Sequence, residues 1–231
     1  METIANNKWK ELLARATNGS AEAQWELGYY YEYGAADESG ILLAKIDPSK
    51  ALHWHTLSAE QGNQYAQCSL SNILSTGEGI AQDYKAAIYW AKKAMAQGNA
   101  QAAFNLGTIY RDLKKPARAF HCYQCAASMG DKDSLLQLGL CCLFGFGTKQ
   151  NFDTAYSYFQ EILTAEPSAS SQRTKENALY WIALFQLVGM GNTNKSVLSA
   201  RKLLESANVD DDHEQANEIL NVIGKSKYLS A

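Results

Sequence analysis

Gly98-Asn-Ala-Gln-Ala-Ala-Phe-Asn-Leu-Gly107 decides the fold, because the chain repeats its pattern three more times. The other copies are Gly19-Ser-Ala-Glu-Ala-Gln-Trp-Glu-Leu-Gly28, Gly62-Asn-Gln-Tyr-Ala-Gln-Cys-Ser-Leu-Ser71 and Gly130-Asp-Lys-Asp-Ser-Leu-Leu-Gln-Leu-Gly139. The opening glycines recur at steps inside the range of about 20–50 residues that marks solenoids and other arrays. A second block precedes each following copy: Lys50-Ala-Leu-His-Trp54, then Lys85-Ala-Ala-Ile-Tyr-Trp90, with Cys122 in the tryptophan position of the third, and Thr154-Ala-Tyr-Ser-Tyr158 in the fourth. Glycine turns separate the blocks, at Gly77-Glu-Gly79, Gly145-Phe-Gly147 and Gly189-Met-Gly191, with Gly34 alone in the first repeat.

Both blocks read as helices. Apolar residues return at three- and four-residue spacing, as in Ala23, Leu27 and Tyr31, or Ala87, Trp90 and Ala94. Asp47-Pro48 places a capping carboxylate before a proline at the first helical position, and Pro116 takes that position after Lys115. A mid-helix glycine costs about 1 kcal/mol against alanine, so the Leu-Gly pair implies close approach of a neighbouring helix. Gly189-Met-Gly191 marks a fifth pair, about Glu176 to Val188 and Asn194 to Ala207, with Ala183 in the glycine position. Asn7 to Thr17 and Asp212 to Ile223 read as capping half-repeats, which solenoids need to cover their ends.

The combined pattern, Gly-x-Ala-x-Ala-Gln-x-x-Leu-Gly-x-x-Tyr-x-x-Gly followed by Asp-x-x-Lys-Ala-x-x-Trp, resembles the Sel-one-like repeat family, a branch of the tetratricopeptide-like α/α solenoids. The resemblance covers roughly Gly19 to Ile223. It departs in an insertion around Ala35 to Ile46, a shortened turn at Leu113-Lys-Lys-Pro116, and a serine-rich loop (Ser168, Ser170, Ser171) before the degenerate fifth repeat. The expected fold is all-α: a right-handed α/α superhelical solenoid of about five helix hairpins, about twelve helices, and no strands. A single domain is expected over 1–231. It has caps at 1–18 and 209–231 and repeats at 19–61, 62–97, 98–129, 130–173 and 174–208.

Composition narrows the function. Lys and Arg number 21 against 24 Asp and Glu, a net charge of -3, so no basic excess is available to neutralise phosphates and nucleic acid is not an expected partner. No secretory leader is apparent at the N-terminus and no apolar run is long enough to cross a bilayer, so the expectation is a cytoplasmic protein without membrane insertion. Five cysteines, an odd number, point to free and mostly buried thiols.

Sites of chemistry are not expected. Cys122-x-x-Cys125 lacks the strand context of a redox motif, Cys122 replaces a core tryptophan, and Cys141 and Cys142 diverge on one helix, so zinc is not expected. His53-Trp54-His55 reads as two solvated histidines flanking a core tryptophan, since residues i and i+2 face apart on a helix. Asp210-Asp211-Asp212 and Glu214 read as a complement to the dipole of the last helix, with a binding patch for a basic partner as the alternative. No catalytic set, metal or cofactor is expected.

The resemblance implies a module that binds protein or peptide, with the first helix of each repeat on the concave face. If Leu27 and Gly28 pack inward, Glu22, Trp25, Tyr29 and Glu32 are left free. The matching positions are Tyr65, Cys68 and Asn72 in the second repeat, then Gln101, Phe104, Thr108 and Arg111 in the third. An apolar strip follows, with Leu136, Leu140 and Leu143 in the fourth repeat and Tyr180, Leu184 and Leu187 in the fifth, extended by Phe144 and Phe146. Trp25, Tyr29, Phe104 and Arg111 are the expected anchors, off the packing face, so that Trp25→Ala would spare folding. The expected role is a non-catalytic adaptor or scaffold, monomeric or a weak homo-oligomer. The alternative is a stoichiometric inhibitor, such as an immunity protein that neutralises a bacterial toxin or secreted effector, and an enzyme is the remote alternative.

Overall fold

The computed structural model describes residues 4–36, 40–164, 171–208 and 213–225. Twelve α-helices occupy the described residues and fall into two compact units, Met1–Leu113 and Lys114–Ala231. The first unit contains α1 (Ile4–Thr17), α2 (Ala21–Tyr33), α3 (Pro48–Glu60), α4 (Gln64–Thr76), α5 (Tyr84–Ala96) and α6 (Ala100–Asp112). The second contains α7 (Pro116–Ser128), α8 (Asp133–Phe144), α9 (Phe152–Thr164), α10 (Gln172–Val188), α11 (Val197–Ala207) and α12 (Glu214–Lys225). Within each unit consecutive helices pack as pairs, the arrangement of an α/α solenoid. The Asp210–Asp212 run and the loop serines 168 and 170 lie outside the described residues, while Ser171 caps α10 by accepting from the Thr174 amide.

The opening glycines set the entry to each first helix. Gly19, Gly62, Gly98 and Gly130 all lie at φ between 88° and 97°, where a side chain is strained. The next residue in each case puts its oxygen on an amide of the new helix: Ser20 on Ala23, Asn63 on Tyr65 and Ala66, Asn99 on Ala102, and Asp131 on Ser134. These caps satisfy amides that have no intrahelical partner, each contributing about 1 kcal/mol. Asp47 and Pro48 start α3 as expected, and Pro116 starts α7, although Lys115 supplies no capping bond there.

The insertion in the first repeat departs from a purely helical chain. Ala35–Ala36 (β1) pairs antiparallel with Leu42–Ala44 (β2), Ala35 opposite Ala44. Leu42-Leu43-Ala44 can lie extended because the longer connection frees it from the tight turn used elsewhere, and it buries Ala44 while leaving Leu42 outside.

The core is built from small residues in the second helices and leucines in the first. Leu27, Leu70, Leu106 and Leu138 are buried at the homologous position of four repeats, each worth about 1.5–3 kcal/mol. On the second helices three positions at i, i+4 and i+7 are buried: Ala51, His55 and Ser58 on α3, Ala87, Ala91 and Ala94 on α5, and Ala155, Phe159 and Ile162 on α9. His55 therefore belongs to the core. It is fully buried while His53 is exposed and Trp54 half-buried, which corrects the expectation of a solvated pair. The reason is periodicity: His55 takes the position that alanine occupies on α5.

All five thiols are free, and Cys68, Cys122, Cys141 and Cys142 are buried as expected, with Cys125 intermediate.

Candidate functional site

The first helices of successive repeats lie side by side, α2 against α4 and α4 against α6. Their outward faces form a groove of about 650 Å³ in the N-terminal unit. Trp25, Tyr29, Glu32 and Tyr33 come from α2, one or two residues per turn. Tyr65, Cys68 and Asn72 come from α4, and Gln101 and Asn105 from α6. Seven of the residues expected from sequence thus meet in one place: Trp25, Tyr29, Glu32, Tyr65, Cys68, Asn72 and Gln101.

Four aromatic rings make the wall. Trp25 lies 5.4 Å from Tyr65 and 6.4 Å from Tyr29, centroid to centroid, and Tyr29 lies 4.8 Å from Tyr33. Tyr29, Tyr33 and Tyr65 are 47%, 58% and 55% exposed, so their faces are open to a ligand. Trp25 has a second attachment. It packs against the buried Ala59, Ala66 and Leu70, which corrects the expectation that it stands clear of the core. An indole is large enough to fill a gap between α2 and α4 with one edge and face the groove with the other.

Polar groups sit beneath and beside the rings. The Glu32 carboxylate, its side chain 13% exposed, receives the buried His55 Nε2 at 3.1 Å. A carboxylate only accepts, so that imidazole nitrogen carries the proton, and Nδ1, which faces Gly28, has no hydrogen-bond partner. Burial, with a hydrogen bond to Glu32, pushes the Tyr33 hydroxyl up to about 12. Burial likewise pushes the Cys68 thiol up to about 11, with Glu32 adding to the effect, and Asn105 Nδ2 approaches that sulfur at 3.6 Å. A thiol so held is no nucleophile at neutral pH. Gln101 donates to Asn105 at 2.9 Å.

The remaining expected residues lie elsewhere. Glu22 is exposed outside the groove lining. Phe104 and Thr108 are half-buried on α6, and Arg111 is exposed with Nη2 3.2 Å from Asp112 Oδ1; none of these lines the groove. In the C-terminal unit Leu136 and Leu140 are half-buried on α8, and Leu143 is 5% exposed. Tyr180 and Leu187 pack on the core shared by α10, α11 and α12, with Tyr180 stacked on His213 at 5.0 Å. Phe144 and Phe146 are exposed, 6.0 Å apart. Sequence reasoning missed Tyr33 and Asn105. Each stands four residues beyond a residue it did include, Tyr29 and Gln101, so one more helical step would have found both.

Among the described residues no three His, Cys, Asp or Glu side chains gather as a metal site requires, and no helix is long and apolar enough to cross a membrane.

The Sel1 repeat model matches residues 21–63, 64–99, 100–131 and 132–162, each segment spanning two helices that follow one another in the chain. The chain belongs to the Sel1 repeat family. Sel1 repeat proteins are protein-interaction scaffolds. The match ends ahead of α10 and α11, the degenerate fifth pair. Chitin synthase regulatory factor 3 of Schizosaccharomyces pombe is 33% identical over half of this chain, which spans 12% of that relative. A protective antigen of uropathogenic Escherichia coli with the same repeat fold is similar over 94% of this chain and 44% of its own, with a TM-score of 0.79 and 28% identity. A Sel1 repeat protein of Oxalobacter formigenes shares the fold over 92% of this chain and 80% of its own, with a TM-score of 0.72 and 23% identity. The chain therefore spans less than half of the first two.

Proposed function

We propose that this Sel1 repeat chain is a non-catalytic adaptor that holds a protein segment in the groove across α2, α4 and α6. The observation that carries this reading is the open aromatic wall of Trp25, Tyr29, Tyr33 and Tyr65. Aromatic residues dominate interface energy because they offer large rigid contact area, and here three repeats contribute to one continuous lining. The thiol in the groove, Cys68, is pushed up to about 11 by burial and stays protonated at neutral pH. Support for regulation by binding comes also from the relative named as a regulatory factor of chitin synthase. We place the protein in the cytoplasm, where unpaired thiols stay reduced.

A second reading, a stoichiometric inhibitor of a basic toxic enzyme, is favoured by the single formal charge of the groove, Glu32. The two differ in outcome for the partner: an adaptor leaves its chemistry intact, an inhibitor abolishes it at one equivalent. Capture of the partner by wild type and by Tyr29→Ala/Tyr65→Ala tests both. At least tenfold weaker capture by a variant with an unchanged melting curve is expected, and equal capture would exclude the groove.

A further inference from the structure

The groove has an electrostatic character that the protein-binding reading does not require. Its lining contains one formal charge, the Glu32 carboxylate, and neither Lys nor Arg. Glu32 is held from behind by His55 Nε2 at 3.1 Å and at its side by the Tyr33 hydroxyl. Both of these partners are hydrogen-bond donors, and among the described residues no Lys or Arg forms an ion pair with it. The carboxylate is thus held in position within the groove lining, 13% exposed. Around it stand π faces: Trp25, Tyr29 and Tyr33 on the same helix, and Tyr65 across the gap on α4. Aromatic faces attract cations through their quadrupole, most strongly where the cation is partly desolvated, and a nearby carboxylate adds a charge-assisted hydrogen bond. Asn72, Gln101 and Asn105 bring amide groups to the same lining, suited to the backbone of an extended segment.

We propose that this groove is a cation-reading site, in which an arginine side chain of the partner segment stacks on the tyrosine and tryptophan faces and pairs with Glu32. The planar guanidinium fits both requirements at once, since it stacks on rings and presents a fork of N–H donors to a carboxylate. The inference rests on the protein-binding reading and names the chemistry of the occupant.

The test uses the full chain labelled with nitrogen-15 and the indole N–H resonance of Trp25, assigned by its loss in Trp25→Phe. Three blocked tripeptides serve as probes: Gly-Arg-Gly, Gly-citrulline-Gly, which keeps the shape without the charge, and Gly-Glu-Gly. The arginine peptide is expected to shift the Trp25 resonance saturably, with citrulline at least about fivefold weaker and glutamate without effect. Glu32→Gln keeps an oxygen that can accept from His55 and is expected to weaken the arginine peptide at least about fivefold. Tyr29→Leu, at an exposed ring away from the core, is expected to weaken it about threefold and guards against a folding defect in the first variant. Equal binding of arginine and citrulline, or wild-type affinity in both variants, would overturn the inference. Citrulline or glutamate peptides shifting Trp25 in place of arginine would overturn the cation site and leave the groove as a protein-binding surface. Silence of Trp25 toward all three, with partner capture unaffected by Tyr29→Ala/Tyr65→Ala, would overturn both.

Discussion

The imidazole of His55 lies over Gly28 so closely that a Cβ built on the glycine would sit 2.7 Å from its Nδ1 and Cε1. Gly139 faces Phe159 in the same way one unit further along the chain, at the same two positions of the repeat. In the second repeat the pair is Ser71 and Ala91, and in the fifth it is Ala183 and Leu204, all fully buried. In the first, second and fourth repeats volume is thus traded across the helix pair: glycine faces the bulky His55 and Phe159, and Ser71 faces the small Ala91, whereas the fifth repeat accommodates Ala183 beside Leu204.

Gly28→Ala is accordingly expected to destabilise the protein by about 1–3 kcal/mol despite the better helix propensity of alanine. Adding His55→Ala removes the obstructing ring, so the double variant should be more stable than the two single losses predict by addition. Chemical denaturation of the four proteins in the cycle checks this, and strict additivity would contradict it.

A relay of glutamines ties neighbouring repeats. Gln24 Nε2 donates to Ala16 O at 3.0 Å and Gln67 Nε2 to Ala59 O at 3.1 Å, while Gln61 and Gln97 donate to the Gln24 and Gln67 carboxamide oxygens at 2.7 and 2.8 Å. Gln24 and Gln67 are buried, so Gln67→Leu leaves the Ala59 carbonyl without that partner and should cost about 1–3 kcal/mol. Gln97 is exposed and Gln97→Ala should cost less than about 1 kcal/mol, which shifts in the denaturant midpoint will distinguish.

Alkaline pH should weaken the fold partly through Cys68. Its thiol is neutral in both states below the ordinary value of 9.0, so nothing is lost there. Between 9.0 and about 11 the unfolded chain ionises and the folded one does not, and stability falls with rising pH. A loss on the order of 2 kcal/mol by pH 11 is expected from this group. Cys68→Ala should show a shallower decline than wild type over that range, and parallel curves would refute the assignment.

Trp25 serves the core and the groove together. Trp25→Ala should cost about 2–3 kcal/mol of stability, through its contact with Ala59, Ala66 and Leu70. Tyr29→Ala and Tyr65→Ala, at exposed rings, should each cost less than about 1 kcal/mol. Thermal melts of the three variants separate the cases.

The helices were legible because glycine turns, caps and helical apolar spacing recur in register, so each repeat corroborated the next. The β1–β2 ribbon was not, because a five-residue pairing inside a single insertion has no second copy to reveal its period. His55 was misread from its adjacency to His53, although Ala51 and Ser58 mark its buried face as plainly as Ala87 and Ala94 mark that of Ala91. The groove was half legible. Helical spacing gave the α2 and α4 lining, but Phe104, Thr108 and Arg111 share that spacing without lining it, because position on one helix does not say where the neighbouring helices leave space.

A photoreactive phenylalanine derivative at Tyr65, compared with the same group at the exposed Lys92 of α5, tests the central claim most directly. Irradiation in the living cell should yield a discrete protein adduct from position 65, lost when Tyr29 and Glu32 are replaced, and none from position 92. Adducts from position 92 with none from position 65 would contradict the assignment of the groove.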